Sequence, residues 1–367
     1  MTYNWQQKDW PKFKYDISKL EDLLFQFSER IGHLKGVLNA LPETCQTQTM
    51  IEVLVTEAIK TSEIEGEFLS RNDVVSSIKN NLGLGRVMVK DKNAEGMANL
   101  VTVVRSHFQD SLNKRVLFDW HRMIFSTNSN ISVGAWRSHI APMQVVSGRY
   151  GNEQIHFEAP PSKEVEKEMD RFIQWFNDTA PGAVNEIKHA PIRCAIAHLY
   201  FESIHPFEDG NGRVGRAIAE KALLQSVQYP LLLSLSSAIE SNKKEYYDAL
   251  KLGQKSNEIT DWIFSFIHTI INAIDNSTAL IDFTLQKVKL FDLFKDKLNS
   301  RQVKVLNRML DEGLKGFEGG MTAKKYMKIA KTSKASATRD IQKLNDLGVF
   351  KSKGGGRSIS YEIQFKK

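Results

Sequence analysis

Apolar side chains recur at helical spacing through most of this chain, so the fold is expected to be mostly α-helical. One helical pattern covers residues 20–38 and ends before Pro42, and a second runs over about 46–63. Asparagines and glycines over 80–85 then indicate a loop. Residues 1–85 are therefore predicted to form an N-terminal helical region.

The middle of the chain, residues 91–276, is predicted to be a helical domain with one exception. Two short extended runs lie on either side of a Gly/Asn turn at 148–152, within a stretch that ends in two prolines. That arrangement predicts a β-hairpin. Because it is the one hairpin expected in this domain, it is predicted to be an exposed flap and not part of a core sheet.

Residues 295–367 have a different pattern and are predicted to form a third domain. Helical patterns at about 303–310, 322–330 and 334–347 are followed by an extended run. Three glycines at 354–356 predict a tight turn into a second run, in which apolar residues alternate as in a strand. This order of three helices and a two-stranded wing resembles a winged helix-turn-helix.

The composition, 41% hydrophobic and 25% charged, is that of an ordinary globular protein. No apolar stretch reaches the roughly 18 residues that a membrane helix needs, and the first residues lack the apolar region of a secretory signal. The two cysteines, Cys45 and Cys194, lie far apart in helical patterns, which excludes a disulfide framework. We therefore expect a cytoplasmic protein with no membrane partner.

The net charge of +7 is concentrated at the C-terminal end. From Ser300 onward the chain has 16 Lys and Arg against 6 Asp and Glu, whereas the rest has 34 against 37. Any polyanionic partner is therefore expected to meet the C-terminal domain.

The loop at 205–216, with the sequence HPFEDGNGRVGR, lies between two predicted helices. Backbone amides of Gly210, Asn211 and Gly212 at a helix N-terminus would form an anion-binding concavity. Arg213 and Arg216 lie three residues apart, so they emerge on one helix face and can bind the same polyphosphate. The loop is therefore predicted to bind phosphate groups.

Two further side chains of this loop can supply chemistry. His205, with an ordinary pKa of about 6.5, can accept the proton of an attacking hydroxyl. Asp209 offers a hard oxygen ligand that suits a Mg²⁺ already bound to phosphate. Phe207 is apolar among these polar groups and is predicted to pin the loop to the core.

The whole string matches the signature of Fic-domain proteins, His-Pro-Phe-x-Asp-Gly-Asn-Gly-Arg-x-x-Arg, without a departure. The resemblance implies transfer of AMP from ATP to a Ser, Thr or Tyr hydroxyl of a target protein, with release of pyrophosphate. It implies that His205 is the general base and that Asp209 is the Mg²⁺ ligand. It also implies that Asn211 orients the α-phosphate, while Arg213 and Arg216 hold the β- and γ-phosphates.

The resemblance to this family extends to other segments. Residues 134–137 look like the segment that precedes its flap, and the hairpin at 148–157 would be that flap, which pairs with an extended stretch of the target. Tyr246, Tyr247 and Gln254 look like positions on the adenine side of the site. Core packing is an equally open interpretation of the two tyrosines. The resemblance also implies a homodimer.

A further pattern, Thr61-Ser62-Glu63-Ile64-Glu65-Gly66, fits the inhibitory motif Ser/Thr-x-x-x-Glu-Gly/Asn of Fic proteins. A Glu65 carboxylate aimed at Arg216 would form a bidentate ion pair. That pair would occupy the arginine that the γ-phosphate of ATP needs. The chain is therefore predicted to be autoinhibited.

The alternative hypothesis is a DNA-binding transcriptional regulator. Lysines and arginines cover the two candidate helices and the wing over residues 322–357, a distribution that suits contacts with DNA phosphates. Such a domain can equally serve as a protein-binding or dimerisation module. Both functions can coexist because they use separate domains.

Overall fold

The computed structural model describes residues 2–125, 130–149, 152–355 and 359–365. Over these residues the chain is mostly helical, as predicted. The helices are α1 (Glu21–Ala40), α2 (Glu43–Ile64), α3 (Arg71–Asn81), α4 (Lys92–Ser106), α5 (Lys114–Ile124), α6 (Ser162–Asp178), α7 (Ala190–Ile204), α8 (Asn211–Val227), α9 (Leu235–Ser241), α10 (Lys243–Gly253), α11 (Thr260–Phe294), α12 (Ser300–Leu310), α13 (Ala323–Ala330) and α14 (Lys334–Asp346). The strands are β1 (Gln144–Arg149), β2 (Asn152–Glu158), β3 (Phe350–Lys353) and β4 (Ser360–Ile363).

The chain divides into two compact units. The first consists of Met1–Asn39 and Met50–Ser277, and the second of Ala40–Thr49 and Thr278–Lys367. The sequence-based division of the first unit near residues 85–91 stays a prediction. No helix in the described ranges is long and apolar enough to cross a bilayer.

The core of the first unit is built around α7 and α8, which pack against each other. Every residue of α7 is buried, which explains why its sequence lacks a polar face. Nearly all of α8 is buried as well. The short loop at 205–210 joins these two helices, so both of its ends are held by the core.

The predicted hairpin forms from β1 and β2, which pair antiparallel from Gln144↔Glu158 to Arg149↔Asn152. Val146 and Ile155 are about half exposed, at 48% and 49%, as expected for a flap at the surface. The centre of the predicted turn, Tyr150 and Gly151, lies outside the described residues.

In the second unit α12, α13 and α14 are followed by the antiparallel pair β3–β4, the order predicted from the sequence. Its core includes Leu306, Tyr326, Ile341 and Phe350. Gly356, assigned to the turn of the wing, and Arg357, assigned to the basic residues that flank it, lie outside the described residues. The assignment as a winged helix-turn-helix stays a prediction.

Candidate active site

His205 occupies the C-cap of α7 in a left-handed backbone conformation, with φ 51° and ψ 60°. This conformation is uncommon for a residue with a side chain, so the surroundings must hold it in place. Its N–H donates to the Phe201 carbonyl at 2.9 Å, and its own carbonyl accepts from Nε of Arg137 at 2.8 Å. The turn that presents the histidine is therefore fixed at both backbone groups.

Arg137, which bonds the carbonyl of His205, is a buried residue with only 2% exposure. Besides His205, its guanidinium donates to the carbonyls of Ile204 and Pro160 and to Oγ of Ser162. Burial lowers the pKa of Arg137 to about 10, so it stays charged at neutral pH. The sequence singled out Arg137 only because residues 134–137 resemble a segment of Fic proteins. The structure gives a physical reason for an arginine here, namely its hydrogen bonds to the turn at His205.

The imidazole of His205 is nearly buried, with 14% of the side chain exposed. Its Nδ1 has no hydrogen-bond partner among the described residues, and Oε2 of Glu202 lies 3.7 Å from it. Burial, followed by the positive charge of Arg137, lowers the pKa of His205 to about 4. The ring is therefore neutral at pH 7 and can accept a proton.

Phe207 anchors the loop as predicted, because it is fully buried and its ring stacks on His121 at a centroid distance of 4.1 Å. The Asn211 side chain closes the loop by bonding both backbone groups of Phe207, with each bond 2.8 Å long. The amide of Asn211 thus shapes the loop. A contact between Asn211 and an α-phosphate stays a prediction.

His121 on α5 supports the loop from its other side, and sequence reasoning missed it. Its Nδ1 accepts from the N–H of Gly134 at 2.9 Å, so the ring proton is on Nε2, which donates to the Asp209 carbonyl at 3.0 Å. Burial lowers the pKa of His121, which keeps the ring neutral. Nothing in the spacing of the sequence links His121 to a loop almost ninety residues later.

Asp209 has a largely exposed carboxylate, at 62%, whose Oδ1 accepts from the N–H of Gly210, the N-cap residue of α8. Nη2 of Arg213 lies 3.8 Å from the same oxygen. In the described ranges, no three His, Cys, Asp or Glu side chains come together as a metal site. One carboxylate combined with substrate phosphates is nevertheless a ligand set that Mg²⁺ accepts, so the exposed Asp209 fits the predicted role.

Arg216 is 2% exposed and is bound by residues at the end of α2. Its Nε donates to Oγ1 of Thr61 at 2.8 Å, and its Nη2 donates to the Thr61 carbonyl at 2.9 Å and to Oε1 of Glu65 at 2.7 Å. The predicted pair between Glu65 and Arg216 is therefore present as a contact. The prediction of a bidentate ion pair was wrong, because Glu65 bonds only Nη2 of Arg216 while the Nε–H donates to Oγ1 of Thr61.

Electrostatics favour this ion pair. Burial acts to raise the pKa of the Glu65 carboxyl, but the charge and hydrogen bond of Arg216 act against it, and the net result is a lowered pKa. Despite its burial, Arg216 has a raised pKa because of the Glu65 charge. Both groups are thus ionised at neutral pH.

Two glycines make this approach possible. A Cβ atom on Gly212 would lie 2.3 Å from Oε1 of Glu65, so a side chain at that position would displace the carboxylate. Gly66 has φ 82°, a left-handed conformation that glycine adopts without strain. This explains why the inhibitory pattern has Gly or Asn at the position of Gly66.

Arg213 is also paired with a carboxylate, which sequence reasoning missed. Its Nη1 donates to Oε2 of Glu67 at 2.7 Å, and its guanidinium lies over the ring of Phe125. Arg213 is 2% exposed, whereas the Glu67 side chain is 38% exposed. The sequence did hold a signal for this pair, because Glu67 lies two residues after Glu65 just as Arg213 lies close to Arg216.

The three residues assigned to the adenine side lie in different environments. Tyr246 belongs to the core, at 5% exposure, with its hydroxyl 2.7 Å from Nε2 of His198. Tyr247 is 39% exposed. Gln254 is buried and donates to the Glu202 carbonyl at 3.1 Å. Contacts of Tyr247 and Gln254 with a nucleotide stay predictions.

Solved structures share this fold. A Fic family protein from Desulfovibrio desulfuricans superposes with a TM-score of 0.56 at 16% identity, covering 97% of this chain and 99% of that one. Fic-1 from Caenorhabditis elegans superposes with a TM-score of 0.52 at 18% identity, covering 74% of this chain and 75% of that one.

Curated relatives carry the words protein adenylyltransferase in their names. Protein adenylyltransferase fic-1 of Caenorhabditis elegans is 24% identical over 229 residues, which are 60% of this chain and 41% of the relative. Protein adenylyltransferase Fic of Nematostella vectensis is 30% identical over 115 residues, which are 30% of this chain and 24% of the relative. The chain thus spans less than half the length of these two relatives.

Two family models match the chain. The one described as the Fic/DOC family matches residues 111–223, which include α7, the 205–210 loop and most of α8. The one described as a domain of unknown function, DUF4172, matches residues 3–84, which include Thr61, Glu65 and Glu67. The chain therefore carries a Fic domain, preceded by a DUF4172 region that supplies the carboxylates paired with Arg213 and Arg216.

Proposed function

We propose that this chain is a protein adenylyltransferase that is autoinhibited by its own DUF4172 region. The observation that carries the proposal is the pair of buried arginines on the first turns of α8, next to a neutral histidine. Two buried cations on one helix face suit a triphosphate, and a neutral imidazole suits proton transfer from a hydroxyl. The names of the curated relatives support the same reaction.

In the proposed reaction His205 takes the proton from a Ser, Thr or Tyr hydroxyl of the target. The hydroxyl oxygen then bonds to the α-phosphorus of ATP, and the bond between that phosphorus and the bridging oxygen of pyrophosphate breaks. Arg213 and Arg216 hold the leaving phosphates, and the first amides of α8 lie where anionic oxygens are favoured. When bound at Asp209, Mg²⁺ would neutralise phosphate charge.

The target segment is proposed to dock on the β1–β2 flap. In the described part of the chain these strands pair only with each other, so an edge is open for strand addition. Val146 and Ile155 supply half-exposed apolar surface beside that edge. Docking there would bring a hydroxyl of the target towards His205.

The reaction is tested by the position of the label in ATP. Compared with a cell lysate incubated with Mg²⁺ but without the chain, addition of the chain should increase transfer of label to protein from ATP labelled at the α-phosphorus but not from ATP labelled at the γ-phosphorus. An increase from the γ-position would instead identify a kinase. No increase from either position, even after the inhibitory carboxylates are removed, would refute nucleotidyl transfer from ATP.

Inhibition is proposed to act through two carboxylates. Glu65 occupies Arg216 and Glu67 occupies Arg213, so both arginines are engaged before ATP arrives. Since Glu67 is more exposed than Glu65, its pair with Arg213 should be the weaker of the two.

Replacing Glu67 with glutamine is expected to raise the rate of AMP transfer by roughly fivefold. The substitution removes the charge but keeps the size of the side chain, and a half-exposed pair contributes about 1 kcal/mol. The measurement is the initial rate of incorporation of α-phosphorus label. Glu63→Gln is the matched control, because Glu63 pairs with Lys60 in the same segment. Equal rates in the wild type and Glu67→Gln would remove Glu67 from the inhibitory mechanism.

DNA binding by the second unit is a second candidate function. Six cations on and between α13 and α14 have no acidic partner among the described residues, namely Lys324, Lys328, Lys331, Lys334, Arg339 and Lys343. All six are exposed, as phosphate contacts require. The assigned stretch 322–357 reaches Arg357, which lies outside the described residues.

The test is fluorescence anisotropy of a labelled DNA duplex with the full chain. Binding at low salt that weakens steeply with added salt is expected for the wild type and should be lost in the double variant Arg339→Glu, Lys343→Glu. The double variant Lys8→Glu, Lys19→Glu makes the same change of charge on exposed residues of the first unit. Equal loss in both variants would show that net charge alone is responsible.

A further inference from the structure

The first residues of the DUF4172 region lie against three elements of the candidate site. Tyr3, Asn4 and Trp5 precede or enter a short 3₁₀ turn (Asn4–Gln6). Their contacts reach the end of β2, the last turn of α7 and the C-cap of α10. The inhibitory contacts use none of these three residues.

Asn4 is the central residue of this group and is fully buried. Its Nδ2 donates to Oγ of Ser203 at 2.8 Å, two residues before His205. Its backbone N–H donates to the Gln254 carbonyl at 2.8 Å, and Gln254 in turn donates to the Glu202 carbonyl. A buried amide is stable only when its polar atoms are bonded, so these partners fix the position of Asn4.

Trp5 and Tyr3 attach the flap. Nε1 of Trp5 donates to the carbonyl of Glu158, the last residue of β2, at 2.8 Å. The ring of Tyr3 meets the buried ring of Phe157 edge to face, with centroids 5.0 Å apart. The segment therefore holds the base of β2 by one hydrogen bond and one aromatic contact.

The flap needs such support from outside. A two-stranded hairpin is at best marginally stable alone, so its position depends on what holds its base. Among the described residues, the backbone at the base of β2 is held by Trp5, which donates to the Glu158 carbonyl, and by Arg137, which donates to the Pro160 carbonyl. The segment of Trp5 is also bonded to the last turn of α7, through Asn4 and Ser203. Arg137 is also bonded to the carbonyl of His205.

We propose that Tyr3, Asn4 and Trp5 are positioning residues of the active site, which set the flap at a fixed distance from His205. The site is then incomplete without the N-terminal end of the DUF4172 region. This inference rests on the proposed function only in assigning target docking to the flap. The expected consequence is that loosening Trp5 weakens use of the protein substrate while ATP binding is unchanged.

Hydrogen–deuterium exchange of the full chain tests the attachment without any assay of activity. Trp5→Phe keeps an aromatic ring but removes the N–H that bonds Glu158. Amides in 152–158 are expected to exchange about fivefold faster, the effect of losing one hydrogen bond of about 1 kcal/mol. Trp10→Phe is the matched control, because Nε1 of Trp10 bonds Glu168 on α6 instead of the flap. Unchanged exchange in Trp5→Phe, or an equal increase in both variants, would overturn the attachment.

The link to catalysis is tested in a background that also carries Glu65→Gly. Adding Trp5→Phe should raise the lysate concentration needed for half-maximal AMP incorporation about fivefold, with the Kd for ATP unchanged. Adding Trp10→Phe should change neither quantity. Faster exchange of the flap with unaltered lysate dependence would overturn the positioning role. If no variant transferred AMP, the proposed function would fail, while the exchange experiment would still decide whether the N-terminal segment holds the flap.

Discussion

Replacing Glu65 with glycine is expected to raise the rate of AMP transfer by roughly 10- to 150-fold. The wild-type carboxylate is bonded to Nη2 of Arg216 at 2.7 Å in a mostly buried environment. A charge-assisted hydrogen bond of this kind contributes about 1.5–3 kcal/mol, which corresponds to that range of rate if ATP must displace it. Thr61 would continue to hold Arg216, so the guanidinium should stay in place for the γ-phosphate.

The measurement is the initial rate of incorporation of label from ATP labelled at the α-phosphorus. Glu63→Gly is the matched control, since it adds the same flexibility near the end of α2 without touching either arginine of α8. A rate that rises equally in both variants would point to unfolding of the helix end. An unchanged rate in Glu65→Gly would refute inhibition by the carboxylate.

Replacing His205 with alanine in the Glu65→Gly background is expected to lower AMP transfer by about 10²- to 10⁴-fold, the usual contribution of a positioned general base. The pKa of about 4 leaves the His205 imidazole neutral at pH 7 and able to accept the proton, and alanine has no group that can do so. His121, which stacks on Phe207, cannot replace it because both of its ring nitrogens are used in hydrogen bonds to the backbone. Binding of ATP should change little because neither arginine pairs with His205.

This prediction needs kcat for transfer and, separately, a Kd for ATP from a binding titration. The control is His33→Ala, which removes an exposed histidine on α1. A loss of transfer that accompanies an equal loss of ATP affinity would mean that His205 supports binding and not proton transfer. Retention of the full rate would remove His205 from the role of base.

The sequence predicted the local parts of this molecule well. Helices such as α7 and α14 are visible because apolar residues recur with a period set by neighbouring turns, and β1–β2 are visible through a Gly/Asn turn between extended runs. The loop at 205–216 was also a local feature, since its donors, arginines and histidine lie within twelve positions. Phe207 could be assigned to the core because it is the apolar residue of an otherwise polar loop.

Asn211 shows where a local pattern is insufficient. The same side-chain amide can face a phosphate or bond the backbone of its own loop, and both uses require the same residue at the same position. The structure places it on Phe207 at 2.8 Å. The geometry of the Glu65 pair is a similar case, since only the packed structure reveals that Thr61 occupies Nε of Arg216.

The sequence by itself therefore determined the helical fold, the β1–β2 hairpin and the prediction that the loop at 205–216 binds phosphate, because each depends on residues close together along the chain. Tertiary structure alone decided that Glu67 meets Arg213, that Arg137 braces His205 and that Asn4 bonds Ser203. These partners lie 68 to 199 residues apart in sequence. Contacts at such separations depend on how the helices pack, and no spacing within the chain encodes which side chains that packing brings together.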